Sequence, residues 1–503
     1  MKKKYIIVSL IFVTIIGLIS IFSKTTFLYD ESFSLALSHW AEEPITGWVV
    51  YDSNQWISKD LLNNPYIYCR NDFSLTAPYY IQFSDVHPPL FYMVICIISY
   101  IFKGRFSIYF YLLFNLLLLL ISCFFVYKII CLICNNNLFA SICSLLYGTC
   151  LFTLDNLVFI RMYQMASTLV IIYVYIALLI VKCKDIKPLY YIALFITIIL
   201  GGLTHYYFYV STLIFSLVLS IYLLIHKQYK KMIISICLYI VALLLNLFLF
   251  FPGTFGQFKH SHGKYVLENG AIFKLDMLIS YLNITPLRLL YSVSVLVIIL
   301  FLVYVLLRGN EEKKNNIHYS LIFCVSYVLY LIVVSQISLY CVERNMFLID
   351  PICIIGLLIS LYYILNNSKI CKLILITIIL VNCSYTLINN KILKEKSWDF
   401  AKKHQDDVAI VYVDKSSPYE YNDIQSSLFA DLRWYIATYV SDRYSMDGYM
   451  DGDRNFVLYI DKRVDIEEFL MNAKKCFYDP NKYSLKKTDI ETSGFYVYYG
   501  QAK

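Results

Sequence analysis

Charge is what this sequence has least of: Asp, Glu, Lys and Arg make up 16% of its 503 residues, against 59% hydrophobic residues and a mean hydropathy of +0.62. No soluble domain hides that much apolar surface, so the composition excludes a water-soluble protein and predicts a polytopic membrane protein. An internal repeat, a Gly-rich phosphate loop and a low-complexity tract are also lacking. After Met1-Lys2-Lys3-Lys4 and the apolar run 5–22 there is no small-x-small cleavage site, which favours a retained anchor over a signal peptide. The net charge of +8 gathers in short loops, where it fixes orientation, and no nucleic-acid partner is expected.

Most of the fifteen cysteines lie in apolar runs, as Cys96, Cys123, Cys143, Cys150, Cys237 and Cys353 do, and read as small hydrophobes, while Cys69, Cys341 and Cys476 fall in segments expected outside. Cys131 and Cys134 form a Cys-x-x-Cys with no second ligand pair, which reads as filler at a helix end.

Lysines ahead of the first span place the amino terminus inside, so Asp30 and Glu31 emerge on the outer face. The outer loop 24–105 that follows is polar and aromatic (Trp40, Trp48, Trp56, Tyr79, Tyr80) and predicts interfacial helices. Within it lies Asp85-Val86-His87-Pro88-Pro89-Leu90, whose prolines fix a rigid start for the next helix. The apolar run 90–102 is short for a crossing and is read as juxtamembrane or re-entrant. With that choice Lys128, Lys182, Lys184, Lys187, Lys227, Lys230, Lys231, Arg308, Lys313 and Lys314 all fall inside. About eleven spans follow from the ~20-residue rule: 5–22, 106–130, 138–153, 165–181, 189–203, 208–225, 233–251, 289–307, 318–336, 346–365 and 370–388.

The membrane domain is expected over 1–389 and an outer α/β domain over 390–503, where Asp and Glu concentrate. Alternation at 408–413 and 456–460 predicts strands, and 426–439 and 466–476 read as helices. No catalytic motif is visible in this domain.

On the outer side six polar spots meet although they are far apart in sequence. They are Asp30 and Glu31; Asp85 and His87; Asp155, Asn156 and Arg161; Thr204, His205, Tyr206 and Tyr207; Lys259-His260-Ser261-His262-Gly263-Lys264-Tyr265; and Glu343-Arg344-Asn345. Ionisable groups at membrane depth are costly and mark functional sites. Acids suit deprotonation of an acceptor hydroxyl, and Arg and His suit a phosphate leaving group. A sugar carried on a polyprenyl phosphate fits both, and a single displacement needs one base opposite the departing phosphate.

Tyr29-Asp30-Glu31, the Asp85 to Leu90 string, Arg161-Met162-Tyr163, Thr204-His205-Tyr206-Tyr207 and Glu343-Arg344-Asn345 resemble, in that order, the dolichyl-phosphate-mannose protein O-mannosyltransferases. Their bacterial relatives, including lipid A aminoarabinose transferases, are similar, and all are GT-C glycosyltransferases. The resemblance covers 1–388 and implies inverting transfer at the extracytoplasmic face from a polyprenyl-phosphate sugar to a lipid, glycan or protein acceptor. It implies Asp30 as base and the matching Arg161 and Arg344 near the donor phosphate. Taken with the polar spots themselves, this places Glu31 beside the base, Asp85 and His87 to orient the acceptor, and His205, Tyr206 and Lys264 around the donor phosphate. The chain departs from the pattern at Asn345, where the family often has an aromatic. Segment 252–276 is too short for the eukaryotic lumenal insertion, which points to the bacterial branch and a plasma-membrane location. No cofactor is expected, and a divalent ion is not required. The rival reading is a non-catalytic transporter or flippase of lipid-linked saccharides, but duplicated halves and midplane polar sites are not evident.

Overall fold

The computed structural model describes residues 2–24, 29–39, 73–259 (except 86 and 106), 264, 273–308, 311–365, 369–389, 396–413, 436–441, 454–467, 469 and 481–503 (except 493). The chain divides into two compact units. One comprises Met1–Ile21, Gln82–Val94 and Tyr109–Leu387; the other Phe22–Ile81, Ile95–Ile108 and Ile388–Lys503.

The first unit is helical. Each expected span falls on a helix, in order Lys2–Ser23, Ile108–Cys134, Asn137–Thr149, Tyr163–Lys182, Pro188–Gly202, Tyr206–Ile225, Tyr229–Leu249, Pro286–Arg308, Glu311–Ile337, Asp350–Ile364 and Lys369–Asn389. Among the described residues six helices are long and apolar enough to cross a bilayer. The expected span 138–153 is broken. Cys150 takes an extended conformation (φ −65°, ψ 141°), and Asn137–Thr149 and Leu151–Leu157 meet at 58°. Pro188–Gly202 and Asp350–Ile364 have 15 residues each. At ~1.5 Å per residue they fall short of a ~30 Å hydrocarbon core. Their ends are set by polar sequence, Thr204-His205 after one and Asp350-Pro351 at the start of the other.

Small side chains bring the helices together. Ser320 Oγ donates to Gly356 O at 3.1 Å, and a Cβ on Gly356 would lie 2.8 Å from Phe323 Cβ. Such close approach supplies packing where lipid gives apolar surfaces no reason to associate. Ser9 Oγ donates to Ser141 O at 2.9 Å, joining the first span to Asn137–Thr149.

In the second unit a helix, Tyr29–His39, follows the first span, and Thr76–Asp85 leads out of it toward the prolines. Its sheet has the order β2-β1-β3-β5-β4, with β1 Val408–Val413, β2 Ile436–Ser441, β3 Phe456–Asp461, β4 Tyr483–Glu491 and β5 Phe495–Ala502. β1 runs parallel to both β2 and β3, and β5 antiparallel to β3 and β4. Every residue of β3 is buried, as a central strand covered on both faces must be. Strands at 408–413 and 456–460 match expectation. The helix expected at 426–439 does not: Ile436–Ser441 is a strand, because Ile436, Thr438, Tyr439 and Val440 are β-formers offered the open edge of β1. Residues 426–435 lie outside the described residues, as does most of 466–476.

Candidate active site

Two prolines after His87 end one helix and start the next, Leu90–Ile101. The first amide of that helix has no partner within it, and Leu90 N donates to Leu203 O at 2.9 Å, an orphan carbonyl at the end of Pro188–Gly202. This bond sets Asp85 and His87 beside Thr204 and His205. Arg161 arrives on a third turn, which Asn115 holds by donating Nδ2 to Leu157 O (3.1 Å) and Phe159 O (2.9 Å).

His87 Nδ1 lies 2.7 Å from Asp85 Oδ2, both side chains partly exposed. An acid holding Nδ1–H leaves Nε2 to face a substrate. Arg161 is buried and donates from Nη1 to Tyr92 Oη at 3.3 Å. His205 caps Tyr206–Ile225, with Nδ1 accepting the Tyr207 amide at 3.0 Å. That bond assigns the ring proton to Nε2. Burial, then the charges of His87 and Arg161, push His205 down to about 3, so the ring is a neutral donor at physiological pH. Its ring lies 5.1 Å from Tyr163 and 5.4 Å from Tyr207.

A chain of hydroxyls and amides leads on. Tyr207 Oη meets Ser338 Oγ at 3.1 Å, and Asn345 Nδ2 donates to Ser338 Oγ (3.3 Å) and Tyr281 Oη (2.7 Å). Asn345 therefore works as a polar joint. It belongs to the 3-10 turn Glu343–Met346, which carries half-buried Arg344. Glu343 turns toward Arg288, with Oε1 3.9 Å from Nη2, so its charge is shared with that buried guanidinium. Burial raises the Glu343 carboxyl, and Arg288 opposes the shift. Arg288 itself forms a two-pronged pair with Asp350, Nη2 to Oδ2 at 2.9 Å and Nη1 to Oδ1, both residues buried.

Of the expected residues, then, Asp85, His87, Arg161 and His205 form one cluster, and Arg344 lies next in sequence to Asn345, where the Tyr207–Ser338–Asn345 chain ends. Tyr206 does not; it approaches Thr254. Lys264 is exposed, and its neighbours 260–263 and 265–272 lie outside the described residues. Asp30 and Glu31 belong to the second unit. They open the helix Tyr29–His39, where acids favour the positive end of the helix dipole. Glu31 is fully buried and accepts from Lys24 Nζ at both carboxylate oxygens, at 2.7 and 2.8 Å. Asp30 is only partly buried.

Sequence reasoning missed Lys24, Tyr92, Arg288 and Asp350. Asp350 carried a usable signal, an acid inside an apolar run, which at membrane depth demands a partner.

No protein-family model matches this sequence, and no curated protein does. Solved structures do match in fold. ArnT from Cupriavidus metallidurans in its apo state aligns with a TM-score of 0.50 at 10% identity, covering 97% of each chain. The same protein bound to undecaprenyl phosphate gives 0.49 at 10% identity, again over 97% of each. The Archaeoglobus fulgidus oligosaccharyltransferase complexed with Zn and sulfate gives 0.48 at 11% identity, covering 96% of this chain and 72% of the other. This protein is an integral membrane protein with the fold of the GT-C glycosyltransferases.

Proposed function

We propose that this protein is a glycosyltransferase that moves a sugar from a polyprenyl-phosphate donor to an acceptor hydroxyl at the extracytoplasmic face. The observation that carries the reading is the meeting of Asp85, His87, Arg161 and His205, drawn from three separate turns to one place at the ends of apolar helices. A buried guanidinium beside a neutral imidazole donor suits a phosphate monoester leaving group. Arg161 supplies charge, and His205 Nε2–H a hydrogen bond, without a second cation to desolvate.

Asp30 is the base in this scheme. It removes the acceptor proton as the acceptor oxygen attacks the anomeric carbon on the face opposite the phosphate. The bond from anomeric carbon to phosphate oxygen breaks, polyprenyl phosphate leaves, and the anomeric configuration inverts. Asp85 holds His87 so that Nε2 faces the acceptor. Arg344 and Lys264 add charge along the path of the donor phosphate. Glu31, bound to Lys24, fixes the start of the helix that carries Asp30.

The test is transfer by purified protein in liposomes, from a panel of polyprenyl-phosphate sugars, for wild type and Asp30→Asn. The expected result is a loss of about 10²–10⁴-fold in transfer, the worth of a general base, with donor binding kept. Full activity in the variant would remove Asp30 from the mechanism.

A further inference from the structure

The polar cluster sits at one end of the helices Tyr163–Lys182 and Tyr206–Ile225; their other ends border a second feature. A cavity of about 230 Å³ lies between these two helices, Pro188–Gly202 and Tyr229–Leu249. Buried Tyr173 and Tyr239 line it, and so do Leu217 and Ile240, about half exposed, so it opens sideways to whatever surrounds the helices. Around a membrane protein that is lipid. The volume takes a segment of hydrocarbon chain, against ~30 Å³ for one liquid water.

Three serines line this otherwise apolar cavity, and they differ. Ser216 donates to Thr212 O at 2.6 Å and also meets Tyr173 Oη. Ser220 and Ser235, both half-buried, have no hydrogen bond among the described residues. A hydroxyl left so in hydrocarbon is costly and seeks an acceptor. Ser220 lies five residues before Ile225 and Ser235 six after Tyr229. At ~1.5 Å per residue both are roughly 7–9 Å from the helix ends. That is the level of the boundary between headgroups and acyl chains, ~5–10 Å deep.

Beyond the serines, the two turns at this end expose Lys184, Lys187, Lys227 and Lys230, with Asp185 as their acidic neighbour. Lys231 is different. It is buried, and its Nζ donates to Val181 O (3.1 Å), Cys183 O and Gln228 Oε1 (3.0 Å), so it ties off orphan carbonyls and closes the cavity.

We infer that this cavity binds an anionic phospholipid from the surrounding leaflet. One acyl chain enters between Tyr173 and Tyr239, its ester carbonyls accept from Ser220 and Ser235, and its phosphate sits among Lys184, Lys227 and Lys230. A polyprenyl monophosphate has no ester carbonyl to offer the serines, so it is the poorer occupant. The site is independent of the proposed transfer reaction.

The experiment is native mass spectrometry of the full chain in detergent, titrated with phosphatidylglycerol or with phosphatidylcholine of the same chains, with polyprenyl monophosphate as competitor. Wild type should retain phosphatidylglycerol over phosphatidylcholine. Lys227→Glu with Lys230→Glu, both exposed, should cut that preference by at least about fivefold per lysine. Ser220→Phe should abolish retention by filling the cavity. Should that variant not fold, Ser220→Val with Ser235→Val keeps the volume, removes both donors and should weaken retention severalfold. Equal retention of the two lipids by wild type, undiminished retention in the serine variants, or displacement by polyprenyl monophosphate would each overturn the inference.

Discussion

The acids that border apolar helices in the sequence are of two kinds. Glu31 and Asp350 are buried, and each accepts at both carboxylate oxygens from one cation, Lys24 and Arg288 respectively. Asp30 and Asp85 are partly exposed, and Asp85 gives one oxygen to His87 Nδ1. The difference teaches that presence of a carboxylate in an apolar chain says little about chemistry. Its partner decides, since a fully matched acid has no capacity left for substrate, and removing either half of the match strands a charge.

The largest effect expected from breaking this contrast is at Arg288. Arg288→Met leaves Asp350 buried and uncompensated, which costs ~3–5 kcal/mol of stability, while the double change with Asp350→Leu restores most of it. Unfolding in detergent by heat or denaturant reads both; a neutral single variant would show that the pair is not a matched one. Glu31→Gln comes next. It should cost ~2–3 kcal/mol by leaving the Lys24 ammonium without its anion. Transfer per folded molecule should stay within tenfold of wild type. If Glu31→Gln abolished transfer without lowering the melting temperature, Glu31 would belong with Asp30.

Acid sharpens the comparison on the imidazole side. The folded protein holds His205 near 3, below its ordinary 6.5, so the unfolded chain binds the extra proton. The stability this contributes is fully present above pH 6.5 and is lost as pH falls from there toward 3. Melting temperature followed across that window should fall less steeply for His205→Asn than for wild type. The smallest effect is at Tyr207→Phe, which removes the bond to Ser338 and should cost ~1 kcal/mol, seen in the same melting assay.

Much of the fold is legible without coordinates because its driving pattern is coarse. Runs such as 108–134 and 206–225 leave the backbone no option in lipid but to satisfy itself as helix. The prolines at 88 and 89 mark a helix start that is present at Leu90. Where the pattern is fine, reading fails. The 58° break at Cys150 has no proline or charge to announce it, and the strand at Ile436–Ser441 is decided by pairing with β1, a partner more than twenty residues away. For the site, residue types flagged Asp85, His87, Arg161 and His205, since polar groups beside apolar runs are few. Lys24 carries no signal in the sequence beyond that of a charge at the end of a span, although it pairs with buried Glu31.

The sequence by itself determined that this chain lives in a membrane, roughly where its helices run, and which polar residues could bear chemistry, because hydropathy and charge are local properties. Tertiary structure alone decided which acid is buried against a cation and which is partly exposed. It also decided which imidazole nitrogen carries the proton and which guanidinium is tied to a carboxylate. Those outcomes depend on distances between segments tens to hundreds of residues apart, fixed by contacts such as Leu90 N to Leu203 O and Arg288 to Asp350.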